Sequence, residues 1–441
     1  MPRPPACFLL AALGLLPIAP AAAAPGYVVS TVAVEGAAAP GTADTYGAFL
    51  DVTLDEAGRV AFSAPLGSGF PAAGVWLDPG SGPVLRFRDG EAAPPPVTGT
   101  YIGLGSMVGL DGAGRLAVPI VVNTGSGGVN GLFLDTAGSD STLLAEGDPA
   151  PTAPPGTLDL DLNGLSPFGM NAAGDVSFFS GTNAGAGPSG VFVRAAAGGV
   201  SRVAQQGDLL GAGPDAFQGF GTTSLNDAGQ VAFAASLAGG SASEGLFLDS
   251  GSGAATLALD VDTAPDTGGG TFVDFLMPQV NAGGRVLFLS NVAGGTATGG
   301  AFLASPAVSA VAVENQVVPG AGPITTMSLP DLAGDDSVAL SLGFGSGPVL
   351  AGVYVHASGA FDPVALDGES PPDTGGATFA SFGFVDQNDA GQVAFVATLD
   401  DGRTGVFLAS PAPHVPALPA LALAATGALL VLAARGRLRS A

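Results

Sequence analysis

The sequence predicts an all-β protein, a seven-bladed β-propeller of four-stranded blades whose ring is closed by the N-terminal strand. Three observations predict it. An octapeptide recurs seven times at a near-constant step. Each copy sits in the same succession of short β-rich runs. And the last unit lacks a strand that the beginning of the chain supplies.

The octapeptide reads NDAGQVAF at 226–233 and again at 388–395. Variants begin at Asp55 (DEAGRVAF), Asp111 (DGAGRLAV), Asn171 (NAAGDVSF), Asn281 (NAGGRVLF) and Ala333 (AGDDSVAL). The steps between copies are 56, 60, 55, 55, 52 and 55 residues, the signature of a repeat architecture. Asn or Asp at the first position caps a tight turn with its side chain, and Gly at the fourth supplies a positive φ. That is the chemistry of a short hairpin loop. The sixth unit carries Asp336 in place of Gly, and Asp tolerates the left-handed region better than most residues.

Each turn is followed by a strand such as Val231-Ala232-Phe233, then by a second signature: GVWLD at 74, GLFLD at 131, GVFVR at 190, GLFLD at 245, GAFLA at 300, GVYVH at 352 and GVFLA at 405. A third run follows in six units, among them VLRFRDG, TLLAEGD and PVALDGE. Ahead of each octapeptide lies a fourth run with apolar residues nine and six positions back, as in Phe217 and Phe220, Phe272 and Phe275, Phe379 and Phe382. The seventh unit stops after GVFLA, while the chain begins with VVSTVAVEG at 28–36. A ring closed by that strand hides the edges an open sheet exposes. An extended solenoid would need capping repeats, and neither end has one. Apolar residues on both faces of the strands fit blades covered on both sides.

The two ends of the chain read as addresses. Arg3, the apolar run Ala6–Ile18 and the small residues Ala21–Ala24 form a signal peptide with cleavage after Ala23, giving a leader of residues 1–23. The propeller then occupies 24–410 and a linker 411–416. Residues 417–434 are apolar throughout and long enough to span a bilayer as a helix, and Arg435, Arg437 and Arg439 in the tail 435–441 would stay cytoplasmic. The protein is thus expected to be exported, anchored in the membrane, and placed at the cell envelope or surface. The tail resembles bacterial PEP-CTERM-type sorting signals, which implies anchoring and then processing by a transpeptidase-like sorting enzyme; VPALP stands where that family has Val-Pro-Glu-Pro. The repeats themselves, through all seven copies over residues 28–409, resemble the choice-of-anchor tandem-repeat proteins of the Asn-x-x-Gly-x-x-Ala-Phe type. That resemblance implies an exported or surface protein and carries over no catalytic residues.

Composition limits the chemistry. The chain holds 12 Arg, no Lys and 37 acidic residues; between residues 25 and 410 the balance is 8 − 37 = −29. Such a ring repels nucleic acid. The single cysteine, Cys7, falls in the leader, so the mature domain has neither disulfide nor thiolate metal site. A Ser-His-Asp triad in the ring could draw only on His356, since His414 lies in the linker. A polysaccharide-active hydrolase or lyase needs only carboxylates. Yet Trp76 is the one Trp and Phe recurs at core positions, so a non-catalytic binding or structural role is expected, with a surface, glycan or protein ligand. DLDLNG at 159–164 begins like a calcium loop but has Met170 at the twelfth position, and Leu162 and Leu165 fall nine and six residues ahead of the octapeptide. DTGGGTF at 266–272 and DTGGATF at 373–379 open no helix and are read as loops.

One constellation points to a ligand. The turn after the third run carries Glu35, Asp89, Glu146, Gln206, Asp260, Glu314 and Asp367 at its first position. Two residues on come Ala37, Glu91, Asp148, Asp208, Asp262, Gln316 and Glu369. In a closed ring these 11 carboxylates share one rim, and calcium takes oxygens from such loops, which would make the protein a calcium-dependent adhesion module. The same residues are also ordinary turn formers, repeated because the unit repeats.

Overall fold

The computed structural model describes residues 26–413 except 68–71, 106–107, 153–155, 161–167, 184–188, 212 and 306. The leader expected over residues 1–23 and the anchor expected over 417–434 lie outside the described residues. Among the described residues no helix is long and apolar enough to cross a membrane.

Within the unit Tyr27–Ser410 the described strands fall into seven sheets. Blade 4 shows the plan: Ala216–Leu225, Val231–Ala238, Glu244–Asp249 and Ala254–Leu259, each antiparallel to the next. Blade 7 is composite. Phe379–Gln387, Val393–Leu399 and Thr404–Pro411 are completed by Tyr27–Val34, which pairs with Thr404–Pro411 as the outermost strand. The seam is held by backbone and side chain alike: the Glu35 N–H donates to the Thr404 carbonyl at 2.9 Å, and the Ser30 hydroxyl to the Leu408 carbonyl at 3.1 Å. The closing strand expected from the sequence is therefore in place.

The cores lie between blades. Seven clusters of buried apolar residues correspond to seven junctions, including one that joins Ala33, Ala394 and Val406 of blade 7 to Phe62 and Trp76 of blade 1. Strand alternation produces this. In Val231–Ala238, Val231 and Phe233 face the blade 3 junction while Ala232 and Ala234 face blade 5. A large face thus meets a small one at the junction of blades 4 and 5, where Ala232 and Ala234 meet Val286 and Phe288. Within the blade Phe233 stacks on Phe247 at 5.5 Å and Phe217 meets Phe247 edge-on at 5.0 Å; the same trio recurs as Phe288, Phe302 and Phe272, and as Phe395, Phe407 and Phe379. Each such ring contributes about 1.5–3 kcal/mol by leaving water. The glycine that opens the GLFLD signature is fixed by this packing: a Cβ on Gly245 would lie 2.6 Å from the Phe247 ring.

Sequence spacing misplaces the core residue in two blades: in blade 2 it is Tyr101, ten ahead of Asp111 and held by Gly90 at 2.8 Å, while Ile102 is exposed. The residue nine ahead of the octapeptide is pinned by the turn between blades, as when Gly207 N–H donates to the Phe217 carbonyl at 2.8 Å. In blade 3 the pinned residue is Leu158, thirteen ahead, held by Gly147 at 2.9 Å and fully buried. Leu158 therefore takes the place expected for Leu162, because blade 3 carries an insertion, visible as the 60-residue step. Leu162 and Leu165 lie outside the described residues.

The octapeptide forms the turn between the first and second strands of every blade, and it does more than turn. Gly229 has φ 77° and Gly391 φ 75°, and Asp336 takes the same conformation at 71°. The Asn226 Oδ1 accepts the Gln230 N–H at 2.9 Å, closing the local loop. Its Nδ2 then donates across the junction to the Asn281 carbonyl at 2.8 Å. Asn171 reaches Asn226 at 3.4 Å, Asn281 reaches Ala333 at 3.1 Å, and Asn388 reaches Asp55 at 3.0 Å, which closes the ring. At the junction of blades 6 and 7 the Gly334 N–H donates to Asp389 at 2.6 Å. Where the first residue is Asp and has no donor, the fifth residue is Arg and makes the bridge: Arg59 reaches the Gly112 carbonyl at 2.8 Å and Arg115 the Ala172 carbonyl at 3.4 Å. Every junction is thus latched turn to turn. The latch gives the motif glycine a second reason, since a Cβ on Gly174 would meet the Arg115 guanidinium at 2.5 Å.

Candidate functional site

The first strands of all seven blades line a central channel enclosing about 190 Å³. A first strand is an edge strand, with N–H groups that no further strand receives. In three of the blades a bulge interrupts it just ahead of the octapeptide, as between Phe220 and Thr223, Leu276 and Gln279, and Phe382 and Val385. A bulge re-aims the side chains beside it, and Thr223, Gln279 and Val385 are among the residues lining the channel.

The residue two ahead of the octapeptide serves the free edge of the next blade. Ser224 Oγ accepts the Val280 N–H at 3.1 Å, Asp331 the Gln387 N–H at 2.9 Å, and Asp386 the Leu54 N–H at 3.0 Å. Asp386 also accepts the Thr53 hydroxyl at 2.8 Å across the closing junction. Asp331 and Asp386 are on neighbouring blades, and their carboxyls are hydrogen-bonded to each other. Such a bond needs a proton on one of the two. Burial raises both above the usual carboxylate range, and the charge of Asp331 raises Asp386 further. The other acid lining the channel, Asp51, is 4% exposed and is pushed up to about 7 by burial, although the Ser63 hydroxyl at 2.6 Å and the Ser63 N–H favour its charged form. Met277, Phe168, Phe384 and Leu329 complete an apolar lining around these groups. The channel is a narrow, acidic, partly apolar cavity lined by Asp51 and Asp386, with Asp331 bonded to Asp386 beside it.

The rim acids predicted from the sequence lie on the opposite face from the octapeptides. In six blades the first carboxylate accepts an N–H at the entry to the third strand of its own blade. Glu35 takes Thr404 at 3.0 Å, Asp89 takes Ala73 at 3.0 Å and Glu146 takes Asn130 at 3.3 Å. Asp260 takes Ser243 at 3.1 Å, Asp367 takes Leu350 at 3.0 Å, and Glu314 holds both the N–H and the hydroxyl of Thr298. The second group reaches back three residues. Asp148 accepts from Ala145 at 2.9 Å, Asp208 from Gln205 at 2.8 Å, Asp262 from Leu259 at 2.8 Å and Glu369 from Leu366 at 3.0 Å. Glu91 is bonded in the same way to the Arg88 backbone. Burial raises Asp89 and Glu91. Each rim carboxylate thus holds its own turn or strand, and among the described residues no group of three or more His, Cys, Asp or Glu is placed to hold a metal ion.

His356 lies in Ala351–Ala357 of blade 6, 4.8 Å from the Phe361 ring, and burial lowers its pKa. It borders an outer groove shared with Asp266 and Glu314 of blade 5. In the loop copies, Thr267 and Thr374 are buried and donate to the Ala264 and Pro371 carbonyls at 2.7 and 2.9 Å, so these segments are built loops.

The channel acids were not singled out by sequence spacing. Their signal was present, as a polar residue two positions ahead of the turn in an otherwise apolar strand: Thr53, Ser224, Gln279, Asp331 and Asp386.

Over residues 23–302 and 294–409 the chain matches a family described as a family of unknown function (DUF7453). No curated protein matches it. Among solved structures it is similar to the β-propeller domain of the Trilobed protease from Pyrococcus furiosus, at 9% identity and a TM-score of 0.46, covering 82% of this chain and 95% of that one. It is also similar to the polysaccharide lyase Uly1, at 12% identity, TM-score 0.41 and coverages of 87% and 98%. The Trypanosoma rangeli sialidase follows at 11% identity, TM-score 0.33 and coverages of 88% and 60%.

Proposed function

Because the chain belongs to the DUF7453 family, whose description assigns no activity, its role has to be read from its own residues, and we propose that it is an exported, C-terminally tethered β-propeller with a non-catalytic binding or structural role at the cell surface or in the extracellular matrix. The observation that carries this reading is the turn-to-turn latch at every blade junction, in which the most repeated side chains of the sequence are committed to holding one rigid ring. The leader and the apolar tail with its arginines support export and tethering, and processing by a sorting enzyme follows from the PEP-CTERM-like tail. The test is protease shaving of intact cells with an epitope placed after Ala24. Digestion without lysis is expected; protection until lysis contradicts the surface assignment.

A second reading, a polysaccharide-active hydrolase or lyase, is favoured by the hydrogen-bonded acids Asp331 and Asp386, since two carboxyls that share a proton offer both a donor and an acceptor. Product release from a panel of acidic polysaccharides, abolished in Asp331→Asn and Asp386→Asn with the fold intact, would move the assignment to this class. A calcium-dependent adhesion role rests on the rim. Calorimetric titration with calcium, compared with the Asp260→Asn/Asp262→Asn protein, decides it: equal heats in the two, or no heat, remove the rim as a site.

A further inference from the structure

Arginine is scarce in the ring, eight residues against 37 acids, yet three of the eight converge on one cavity. Arg59, Arg86 and Arg115 line a pocket of about 420 Å³ at the junction of blades 1 and 2, on the octapeptide face, together with Thr136. Among the described residues none of the lining groups is a carboxylate. Asp55, Asp111 and Asp135 pair with the three guanidinium groups, but from behind. Arg59 engages Asp55 through Nε and Nη2, Arg115 engages Asp111 through Nε, and Arg86 Nη1 lies 3.2 Å from Asp135. A guanidinium has five donors, so these contacts leave donors over. Arg59 Nη1 lies over the turn at Gly114, and Arg86 Nε is buried with no acceptor in the protein. A buried donor without an acceptor is costly; Asp135 Oδ2, 3.2 Å from Arg86 Nη1, is likewise without a hydrogen bond, and an oxygen that entered beside Nε would relieve the donor.

At the junctions bridged by arginine the latch takes Nη2 of Arg59 and of Arg115, and Arg86 takes no part in it. Junctions led by Asn226 and Asn388 are bridged with Gln230 and Gln392 at the same fifth position, with no arginine. The donors that Arg59 and Arg115 do not spend on the bridge, with a third arginine from the outer strand Val84–Arg88, go beyond the joint. We propose that this pocket is a binding site for an oxyanionic group, a sulfate or a carboxylate, held by the planar donor pairs of the three arginines. The overall negative charge slows the approach of an anion, but at physiological salt it is screened beyond about 8 Å, so the local donors decide binding. The inference is independent of where the ring is displayed.

The experiment titrates the full-length protein with sodium sulfate and, separately, sodium glucuronate at constant ionic strength in chloride, read by calorimetry. The comparison protein is Arg59→Gln/Arg115→Gln, whose substitutions copy the fifth residue of blades 4 and 7; because they also remove two bridges between blades, a melting curve first establishes that the variant is folded. Saturable binding of at least one anion, weakened about tenfold or more in the double variant and unchanged in Arg285→Gln, is expected. Preference between the two anions distinguishes a sulfated from a uronate-bearing source. If the double variant does not fold, Arg115→Gln alone is read the same way. No saturable heat from either anion, or equal binding by parent and variants, overturns the proposal.

Discussion

Asn226 and Asp260 sit in turns at opposite ends of blade 4, and both are polar side chains that bond to backbone. Asn226 bonds its own loop through Oδ1 and the next blade through Nδ2. Asp260 bonds only Ser243 of its own blade. The difference follows from donor inventory. An amide has a donor and an acceptor, so it can close a turn and reach onward; a carboxylate only accepts, so it ends where it lands. Where the octapeptide starts with Asp, an arginine four residues on restores the missing donor, as Arg59 does for Asp55 and Arg115 for Asp111. The octapeptide side chains therefore stitch one blade to the next, and the rim carboxylates stitch each blade to itself.

Removal of residues 27–34 is expected to have the largest effect. It takes the outermost strand from blade 7 and strips Val34 and Ala33 from two junctions. The loss should exceed the 4–5 kcal/mol of a severe point substitution and abolish cooperative unfolding in a calorimetric scan. A deletion that melts like the parent would dissolve the comparison, because closure would then contribute nothing to either face.

Next comes the channel. Asp51 has a folded pKa of about 7, above its unfolded value, so the folded state holds a proton that the unfolded state has released between roughly pH 4 and 7. Stability from this group is present below that window and declines as pH rises through it, by at most about 4 kcal/mol. Asp331 and Asp386 act in the same direction. Denaturant unfolding from pH 4.5 to 8 should show the decline, and Asp51→Asn should flatten it and gain stability at pH 8. An unaltered slope in that variant would place the pH dependence in the general acidity of the chain.

The smallest effect is expected on the rim. Asp260→Asn keeps an acceptor for Ser243 and removes one exposed charge, so it should change stability by less than about 0.5 kcal/mol. A loss as large as that of an octapeptide substitution would show that the two faces are stitched alike.

The ring was legible because its unit repeats and because the closing strand is missing at one end and present at the other. Turn conformation was legible too: Gly229 and Asp336 could be assigned a positive φ from residue type. The latch was not, because an Asn capping its own loop looks the same whether or not a second blade stands within reach of its Nδ2. The pairing of Asp55 with Arg59 and Asp111 with Arg115, against Asn226 with Gln230, held the clue. The core position in blade 3 failed because counting back from the turn assumes a constant strand, and the insertion there passes the position to Leu158. Channel acids were obscured by abundance: among 37 carboxylates nothing in the sequence marks the few that face inward.

The most direct test of the latch is the unfolding free energy of Asn226→Asp beside that of Asn226→Ala. Aspartate keeps the oxygen that caps the loop and removes the Nδ2 donor, which serves the Asn281 carbonyl and, within the loop, the Gln230 Oε1; Gln230→Ala reports the second bond alone. The latch predicts that Asn226→Asp loses about 1–3 kcal/mol, close to the loss in Asn226→Ala, because a buried carbonyl goes unpaired. If Asn226→Asp is as stable as the parent while Asn226→Ala is not, the octapeptide is a turn and nothing more.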